Sequence, residues 1–271
     1  MASVLSPARL TASDIALILH THGHLDHTGG TALIKAASGA PIHLHREDAL
    51  FLEDHHHCFN RFNAPFIRAL GREQHLEEEK VVFLEETKAE LVVDRKLQDN
   101  DLIDLGNGIE LRVIHLPGHT RGSVGFYWEK EGSLFAGDSV SGLHSPGGSL
   151  PIIYDFTAYQ KSIERLLEMD IGSLFCSHHY RGIHLPSSPI RRGNEVREFL
   201  YDSRESAGRI YEAVGRLASE SGERPLPEIT DKVIAELPEE MGFKPIAELR
   251  SALFSVRTVF WCLSQIRGSQ Q

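Results

Sequence analysis

The chain has 271 residues, of which 41% are hydrophobic and 24% are charged. These values are typical of a globular protein with one large α/β domain, or with one domain and a small appendage. No stretch of about 18 apolar residues occurs, so we expect neither a transmembrane helix nor a membrane partner. The formal net charge of -10 disfavours a nucleic-acid partner.

The cysteines and the first residues indicate a cytoplasmic protein. Cys58, Cys176 and Cys262 are far apart and show no CxxC spacing. We therefore expect neither a disulfide framework nor a cysteine-based zinc site, which fits a reducing cytosol. The first residues lack the charged region and the apolar core of a signal peptide. Residues 1–14 predict a short helix that ends before a strand.

A histidine-rich motif follows the first predicted strand. Residues 15–19 are all apolar and predict a strand that is buried on both faces. Residues 31–37 predict a short helix that Gly39 stops. Residues 20–27, with the sequence HTHGHLDH, therefore lie on a turn between a strand and a helix, where open α/β sheets usually bind ligands.

The residue types in this motif are those of a transition-metal site. Neutral imidazole and carboxylate suit zinc and its first-row neighbours. His22 and His24 alternate along an extended segment and can point in the same direction. Asp26 and His27 are adjacent and must diverge, which suits a second metal close to the first. The alternative is a surface loop that is rich in histidine by chance.

The next part of the chain gives weaker signals. Residues 41–45 predict a strand on which His43 and His45 share one face, which we expect to be exposed near the edge of a sheet. Residues 48–54 could form a helix. The three histidines at 55–57 are interpreted as a solvated loop on the rim of the site, and the alternative for them is an additional metal site.

An aromatic segment comes next. Its apolar side chains are spaced for one face of a helix that Pro65 would start or kink. They are Phe59, Phe62, Phe66, Ile67 and Leu70. Such a face could cover the metal cleft as a lid, or it could pack in the core. The glutamates at 77–79 and 85–86 are interpreted as solvated charge.

The chain then changes to a β pattern. Residues 101–105 and 109–115 predict a hairpin. The second of these strands runs into a Pro-Gly turn, so that His119 is presented at the end of a strand. Residues 122–128 predict the next strand.

Two later strands also end in residues that can bind a metal. An apolar strand that begins at Leu134 ends at Asp138. Residues 172–177 predict a strand that delivers His178 and His179. Four strand ends therefore carry potential metal ligands, which is a much stronger signal than any one of them.

The remaining segments are predicted to be helical or irregular. Residues 142–148 form a loop rich in Gly, Ser and Pro that could line the mouth of a site, and residues 158–169 predict an amphipathic helix. Residues 190–271 show no β pattern and contain helical segments on either side of a linker at 222–227. We therefore predict a metal-binding domain at 1–189 and a helical C-terminal region at 190–271.

Together, these motifs resemble those of the metallo-β-lactamase superfamily. The signature His-x-His-x-Asp-His stands at residues 22–27, and Pro-Gly-His119, Gly-Asp138 and Ser-His178 follow in the family's order. The resemblance covers roughly residues 10–185. It implies an α/β fold, a metallo-β-lactamase-like αββα sandwich, here without its first N-terminal strands and with a C-terminal helical appendage.

The resemblance also implies the ligands of two metal ions. Two Zn²⁺ are expected, although Mn or Fe would accept the same ligand types. One metal takes three histidines, the other takes an aspartate and two histidines, and a second aspartate bridges both. In this order the implied ligands are His22, His24 and His119, then Asp26, His27 and His178, and then Asp138.

The choice of the last histidine is open between His178 and His179. In the family this histidine commonly lies between two small residues. His178 directly follows Ser177, where a glycine is usual, and this favours His178.

The implied chemistry is hydrolysis. Two metal ions about 3.5–4 Å apart can hold a bridging hydroxide, and Asp26 would orient it as a catalytic residue. The predicted function is hydrolysis of an ester, thioester or lactone bond in a small molecule. The alternatives are a phosphodiesterase or RNA endonuclease of the same superfamily, and a non-catalytic or incomplete metal-binding member.

The short segment before the motif raises the question of what completes the sheet. The strand at 15–19 is apolar on both faces, whereas the family usually has several strands before its motif. We expect self-association as a homo-oligomer, or a fragment of a longer protein, in preference to a compact monomer. The alternative is cover by residues 46–95 or by the helical tail.

Overall fold

Ten strands in the described part of the chain form two β-sheets. The computed structural model describes residues 10–87, 89–144, 148–219, 224–249 and 252–268, so that predictions for 1–9, 145–147 and 220–223 lie outside it. The strands are β1 (Ile18–Leu19), β2 (Ile42–His45), β3 (Arg95–Leu97), β4 (Leu102–Asp104), β5 (Glu110–His115), β6 (Val124–Trp128), β7 (Ser133–Gly137), β8 (Leu143–His144), β9 (Ser173–Arg181) and β10 (Ser188–Arg192). The smaller sheet, β1-β2-β3, is parallel. The larger sheet has the order β10-β9-β7-β6-β5-β4, and β8 pairs with β9.

Helices flank both sheets, which confirms the α/β class. They are α1 (Leu25–Thr28), α2 (Thr31–Ser38), α3 (Leu50–Glu53), α4 (His55–Cys58), α5 (Ala64–Ala69), α6 (Leu76–Thr87), α7 (Phe156–Leu167), α8 (Asn194–Leu217), α9 (Leu226–Glu236) and α10 (Ala252–Gly268). The helices predicted at 31–37 and 158–169 correspond to α2 and α7. Within the described ranges, no helix has the length and apolar character needed to cross a membrane.

The predicted strand at 15–19 is shorter in the structure, because only β1 pairs with β2. Pro41 directly precedes β2 and has no N–H with which to extend the ladder. Both faces of β1 are covered as predicted, since Ile18 and Leu19 pack in two different apolar clusters. The described part of the predicted N-terminal helix contains a single 3-10 turn, Ala12–Asp14.

β2 is the central strand of the smaller sheet, with β1 on one side and β3 on the other. His45 is 3% exposed, and its ring stacks on that of His115 with 4.2 Å between the centroids. The prediction of an exposed face near a sheet edge is therefore wrong for His45. β3 comes from a distant part of the chain, so the local pattern gave no sign of it.

The predicted solvated loop at 55–57 is the helical turn α4. The Asp54 side chain accepts a hydrogen bond from the backbone N–H of His57 at 2.8 Å and thereby caps this turn. His55 is 3% exposed, whereas His56 and His57 are exposed. The prediction of a loop is therefore wrong, and the prediction of solvent exposure is wrong for His55 and correct for His56 and His57.

The aromatic segment packs partly in the core and partly along the cavity, and its role as a lid stays a prediction. A π-helical turn, Phe59–Asn63, precedes α5. Phe66 belongs to the main apolar core, and Ile67 belongs to a smaller cluster. Phe62 lines the cavity described below. Helix α6, which carries the predicted solvated glutamates, contains no buried residue.

β10 continues the larger sheet beyond the predicted domain boundary. It pairs with β9, so the prediction that 190–271 contains no β structure is wrong for its first residues. The pattern was missed because β10 is an edge strand that contains a proline. One core cluster contains Leu134 of β7, Ile163 of α7, Phe199 of α8 and Val259 of α10. The division into two domains stays a prediction.

Phe199→Ala tests whether the C-terminal helices stabilise the sheet. Phe199 is fully buried in the shared core, so the substitution should lower the free energy of unfolding by about 3–5 kcal/mol. Tyr201→Ala is the control on the same helix, because Tyr201 is 44% exposed, and it should cost about 0.5 kcal/mol. Denaturant unfolding should show one transition for both variants. Two transitions, with only one shifted by Phe199→Ala, would show that the tail folds separately.

Candidate metal centre

Three histidine rings from two distant loops converge on one point. His22 and His24 lie between β1 and α1, and His119 follows β5. The Nε2 atom of His119 is 3.2 Å from Nε2 of His22 and 2.9 Å from Nδ1 of His24. We call these three residues the first ligand group. Each offers one ring nitrogen to the same small volume.

Hydrogen bonds on the far side of the rings orient this group. Nδ1–H of His119 donates to the carbonyl oxygen of Ile152 at 2.7 Å, so Nε2 carries the lone pair that faces the other rings. Nε2 of His24 lies 3.3 Å from the hydroxyl of Tyr154. Burial lowers the pKa of His22, His24 and His119. It therefore favours neutral imidazole, which is the form that binds a metal.

A second ligand group lies beside the first and consists of Asp26, His27, Asp138 and His178. Oδ2 of Asp138 is 3.4 Å from Nε2 of His27 and 3.3 Å from Nε2 of His178. Oδ2 of Asp26 is 3.4 Å and 3.2 Å from the same two nitrogens. Asp138 also reaches the first group, with Oδ2 at 3.7 Å from Nε2 of His119.

The charges of the second group differ from those of the first. Burial alone would lower the pKa of His27, but Asp138 and Asp26 raise it to about 9. The same carboxylates raise the pKa of His178 to about 10. Despite burial, the two imidazoles hold the pKa of both carboxylates below the usual range. Two carboxylates therefore stabilise positive charge at this position.

The residues present fit a pair of divalent transition metals. Asp138 is 4% exposed, and its Oδ1 atom is buried with no hydrogen-bond partner among the described residues. An unsatisfied buried carboxylate oxygen is costly, and a metal ion would satisfy it. Histidine nitrogen and carboxylate oxygen are the donors that zinc and its neighbours accept.

At two positions directly before predicted ligands, the backbone conformation and the close packing allow only glycine. Gly118 has φ +142°, and a Cβ there would lie 2.5 Å from Cα of Tyr159. Gly137 has φ +58°, and a Cβ there would lie 2.3 Å from Oγ1 of Thr21. These close approaches explain why the two ligands follow glycine.

His178 lies within β9 rather than after its end, because β8 and β10 extend the pairing of β9 to Arg181. Alternation along the strand places His178 and Tyr180 on one face. His179 lies on the opposite face and is exposed. The structure thus brings His178 and the other six predicted ligands together. Their role as ligands stays a prediction.

Asp48 is a site residue that the sequence analysis missed. It is 1% exposed. Its Oδ2 accepts hydrogen bonds from the N–H of Gly23 at 2.9 Å and from Oγ1 of Thr120 at 2.6 Å, and its Oδ1 accepts from the N–H of Gly122 at 2.8 Å. Gly23 separates two histidines of the first group, and Thr120 follows the third. Asp48 therefore ties together the two loops that carry this group.

A cavity of about 750 Å³ opens over both ligand groups. Its lining includes His24, Asp26, His119, Asp138 and His178. Further lining residues come from 51–91, from 151–154 and from α10. A molecule in this cavity would contact both groups.

The sequence of this chain matches the model of one known protein family. A family model described as the metallo-beta-lactamase superfamily matches residues 2–178. The chain belongs to this superfamily. Most of its members are hydrolytic enzymes that bind divalent metals.

Curated relatives are moderately similar. An uncharacterized protein from Mycobacterium leprae is 34% identical over 124 residues, which are 46% of this chain and 48% of the relative. A hydroxyacylglutathione hydrolase from Rhodospirillum rubrum is 29% identical over 217 residues, which are 76% of this chain and 66% of the relative. The chain therefore spans about half to two thirds of the length of these relatives.

Solved structures share the fold. A metallo-beta-lactamase family protein from Thermus thermophilus has a TM-score of 0.68 at 20% identity, covering 99% of this chain and 79% of that one. A beta-lactamase domain protein from Burkholderia ambifaria has a TM-score of 0.62 at 16% identity, covering 97% and 73%. These likenesses confirm the predicted fold class.

Asp48→Asn tests the role of this carboxylate. An amide keeps one acceptor oxygen but places an NH₂ group against a backbone N–H, so the free energy of unfolding should fall by about 2–4 kcal/mol. Because the loops of the first group are tied through Asp48, metal affinity should fall about 10–100-fold in a chelator competition assay. Glu47→Gln, at the exposed neighbouring residue, is the control and should change neither value. An unchanged metal affinity in a folded Asp48→Asn variant would contradict this role.

The two ligand groups should differ in how metal binding depends on pH. With pKa values of about 9 and about 10, His27 and His178 are protonated at pH 7 in the metal-free protein. Filling the second group should therefore release about two protons, and its affinity should rise up to about 100-fold per pH unit below pH 9. The first group, whose histidines are neutral, should release far fewer.

Calorimetry in buffers of different ionisation enthalpy measures this proton release. The raised pKa values of His27 and His178 also predict that the stability of the metal-free protein depends on pH. The stabilisation from the raised pKa of His27 is fully present below about pH 6.5 and is lost as the pH rises through about 9. Equal proton release for both metals would contradict the assignment of charges.

Proposed function

We propose that this protein is a two-metal hydrolase that cleaves an ester, thioester or lactone bond in a small molecule. The observation that carries the proposal is the contact of Asp138 with both ligand groups at the floor of one cavity. His22, His24 and His119 would hold one divalent metal. Asp26, His27 and His178 would hold the other, and Asp138 would serve both.

The metals, when bound, would supply Lewis acidity toward the substrate carbonyl and would activate water. Water adds to the carbonyl carbon, the C–S or C–O bond breaks, and the products are a carboxylate, a thiol or alcohol, and one proton. Asp26 suits the orientation of the attacking water, because it lines the cavity, its side chain is 58% exposed, and its pKa lies below the usual range. It is therefore ionised and can accept a hydrogen bond from the attacking water.

Tyr154 has a supporting role in this proposal. Its hydroxyl lies 3.3 Å from His24, and the residue lines the cavity. Burial raises the pKa of Tyr154. The phenol therefore stays protonated and keeps His24 in place, with its other ring nitrogen directed at the first group.

The cavity supports a small carbonyl substrate over a polynucleotide. Its described lining contains many apolar side chains, and Arg257 is the one lysine or arginine in it. Recognition of a phosphodiester backbone generally requires several cations. The similarity to a hydroxyacylglutathione hydrolase supports thioesters within the carbonyl class.

A matched pair of histidine variants tests the hydrolase proposal. His178→Ala should lower kcat/KM about 100-fold or more and reduce the metal content, because His178 belongs to the second group. His179→Ala is the control, because the adjacent His179 is exposed on the opposite face, and it should stay within about twofold of the wild type.

The substrates for this test are aryl esters, thioesters, lactones, bis-nitrophenyl phosphate and short RNA, each offered to metal-loaded protein. We expect turnover in the first three classes. Turnover of only the last two would contradict the carbonyl assignment. Equal losses in the two variants would contradict the role of His178.

A further inference from the structure

Arg257 is a cation that the proposed chemistry leaves without a function. It lies on α10 and is half-buried in the wall of the cavity. The polar partner that the described part of the chain gives it is the neutral hydroxyl of Tyr154, and no described carboxylate forms an ion pair with it. Its guanidinium carbon lies 4.8 Å from the centre of the Phe66 ring. The positive charge thus rests on an aromatic face, with no counterion among the described residues.

The surroundings of Arg257 differ from those of a buried arginine whose role is structural. Another enclosed arginine, Arg191, is 1% exposed and donates to the carbonyl oxygens of Tyr180 and Pro186. Its role is structural, because its hydrogen bonds are made within the protein. Arg257 has one neutral partner, the Tyr154 hydroxyl, and also borders the open cavity. The acidic residue of the cavity wall outside the ligand groups, Glu86, is exposed. A half-buried guanidinium of this kind favours an anion from outside the chain.

The position of Arg257 fixes where that anion would lie. The Arg257 guanidinium donates a hydrogen bond to the Tyr154 hydroxyl and acts electrostatically on His24. Tyr154 in turn lies within 3.3 Å of His24 in the first ligand group. An anion on Arg257 would therefore lie in the same cavity as the first ligand group, on the side of Tyr154.

The rest of the wall is apolar. Phe51 lies edge-on to the ring of His24 at 5.7 Å and stacks on Phe62 at 5.0 Å. At the mouth, Leu25 and Leu253 are 39% and 51% exposed. Apolar side chains that line a cavity and continue onto its rim suit an apolar ligand body that extends toward solvent.

We propose that the substrate carries one carboxylate close to the reacting carbonyl together with an apolar body, and that Arg257 binds this carboxylate. The planar guanidinium can pair with a carboxylate through two parallel hydrogen bonds. Arg257 is thus a specificity-determining residue. This inference rests on the proposed hydrolase function, and the experiment below separates the two.

The probes are S-phenyl thioesters of glutaric acid and pentanoic acid. They share the apolar phenyl group and the chain length, and they differ in the terminal carboxylate. Metal-loaded wild-type protein should cleave the glutaryl compound with a kcat/KM at least about 10-fold higher. Arg257→Gln should remove this preference, mainly through a higher KM for the glutaryl compound. Arg257→Lys should keep part of the preference, because it retains the charge without the planar fork.

Arg267→Gln is the control, since Arg267 is exposed in the last turn of the same helix, and it should change neither substrate. Thermal unfolding should show that each variant is folded. A wild type without preference would overturn the proposal. A preference that survives Arg257→Gln would overturn it as well.

Product binding separates this inference from the hydrolase proposal. If neither thioester is cleaved, titration calorimetry with glutarate and pentanoate still tests Arg257 in the metal-loaded protein. A glutarate affinity that falls about 10-fold or more in Arg257→Gln would support the carboxylate site even though hydrolysis had failed. Glutarate binding that is absent, or that does not change in Arg257→Gln, would overturn it.

Discussion

The site depends on the burial of one carboxylate, Asp138, between two sets of imidazoles. Its Oδ2 atom lies within 3.7 Å of histidines from both ligand groups, and its Oδ1 atom is buried without a hydrogen bond among the described residues. A buried carboxylate requires compensating positive charge. In the metal-free protein, His27 and His178 supply that charge, since their pKa values are raised. Because Asp138 requires nearby positive charge, it also favours a bound metal ion at a position that both ligand groups can reach.

Other parts of the fold keep the ligands in place and form the cavity around them. Asp48 joins two loops through three hydrogen bonds, and the glycines before His119 and Asp138 permit close packing that a side chain would prevent. Part of the cavity lining, by contrast, comes from residues 51–91 and from α10, which lie outside the ligand loops. Some of the substrate pocket is therefore specified by parts of the chain that carry no ligand. Variation in such parts lets one fold carry one chemistry with different substrates.

The sequence predicted those strands, helices and potential ligands that can be recognised from a few neighbouring residues. The seven potential ligands follow apolar runs or turns, and the structure brings them together. The sequence could not show that β2 is central, that β10 extends the sheet, or that Asp48 ties two loops, because each depends on a partner far along the chain. Arg257 was missed for the same reason. Nothing near position 257 indicates a cavity, and its surroundings become apparent only once α10 packs over the site.

X-ray absorption at the metal edge of the metal-loaded protein tests the central claim most directly. If Asp138 serves two adjacent metals, the spectrum should contain a metal–metal vector of about 3.5–4 Å together with imidazole and carboxylate scattering. Asp138→Asn should weaken or remove that vector. A single-metal spectrum from protein with a full complement of metal would contradict the claim, as would a vector that Asp138→Asn leaves unchanged.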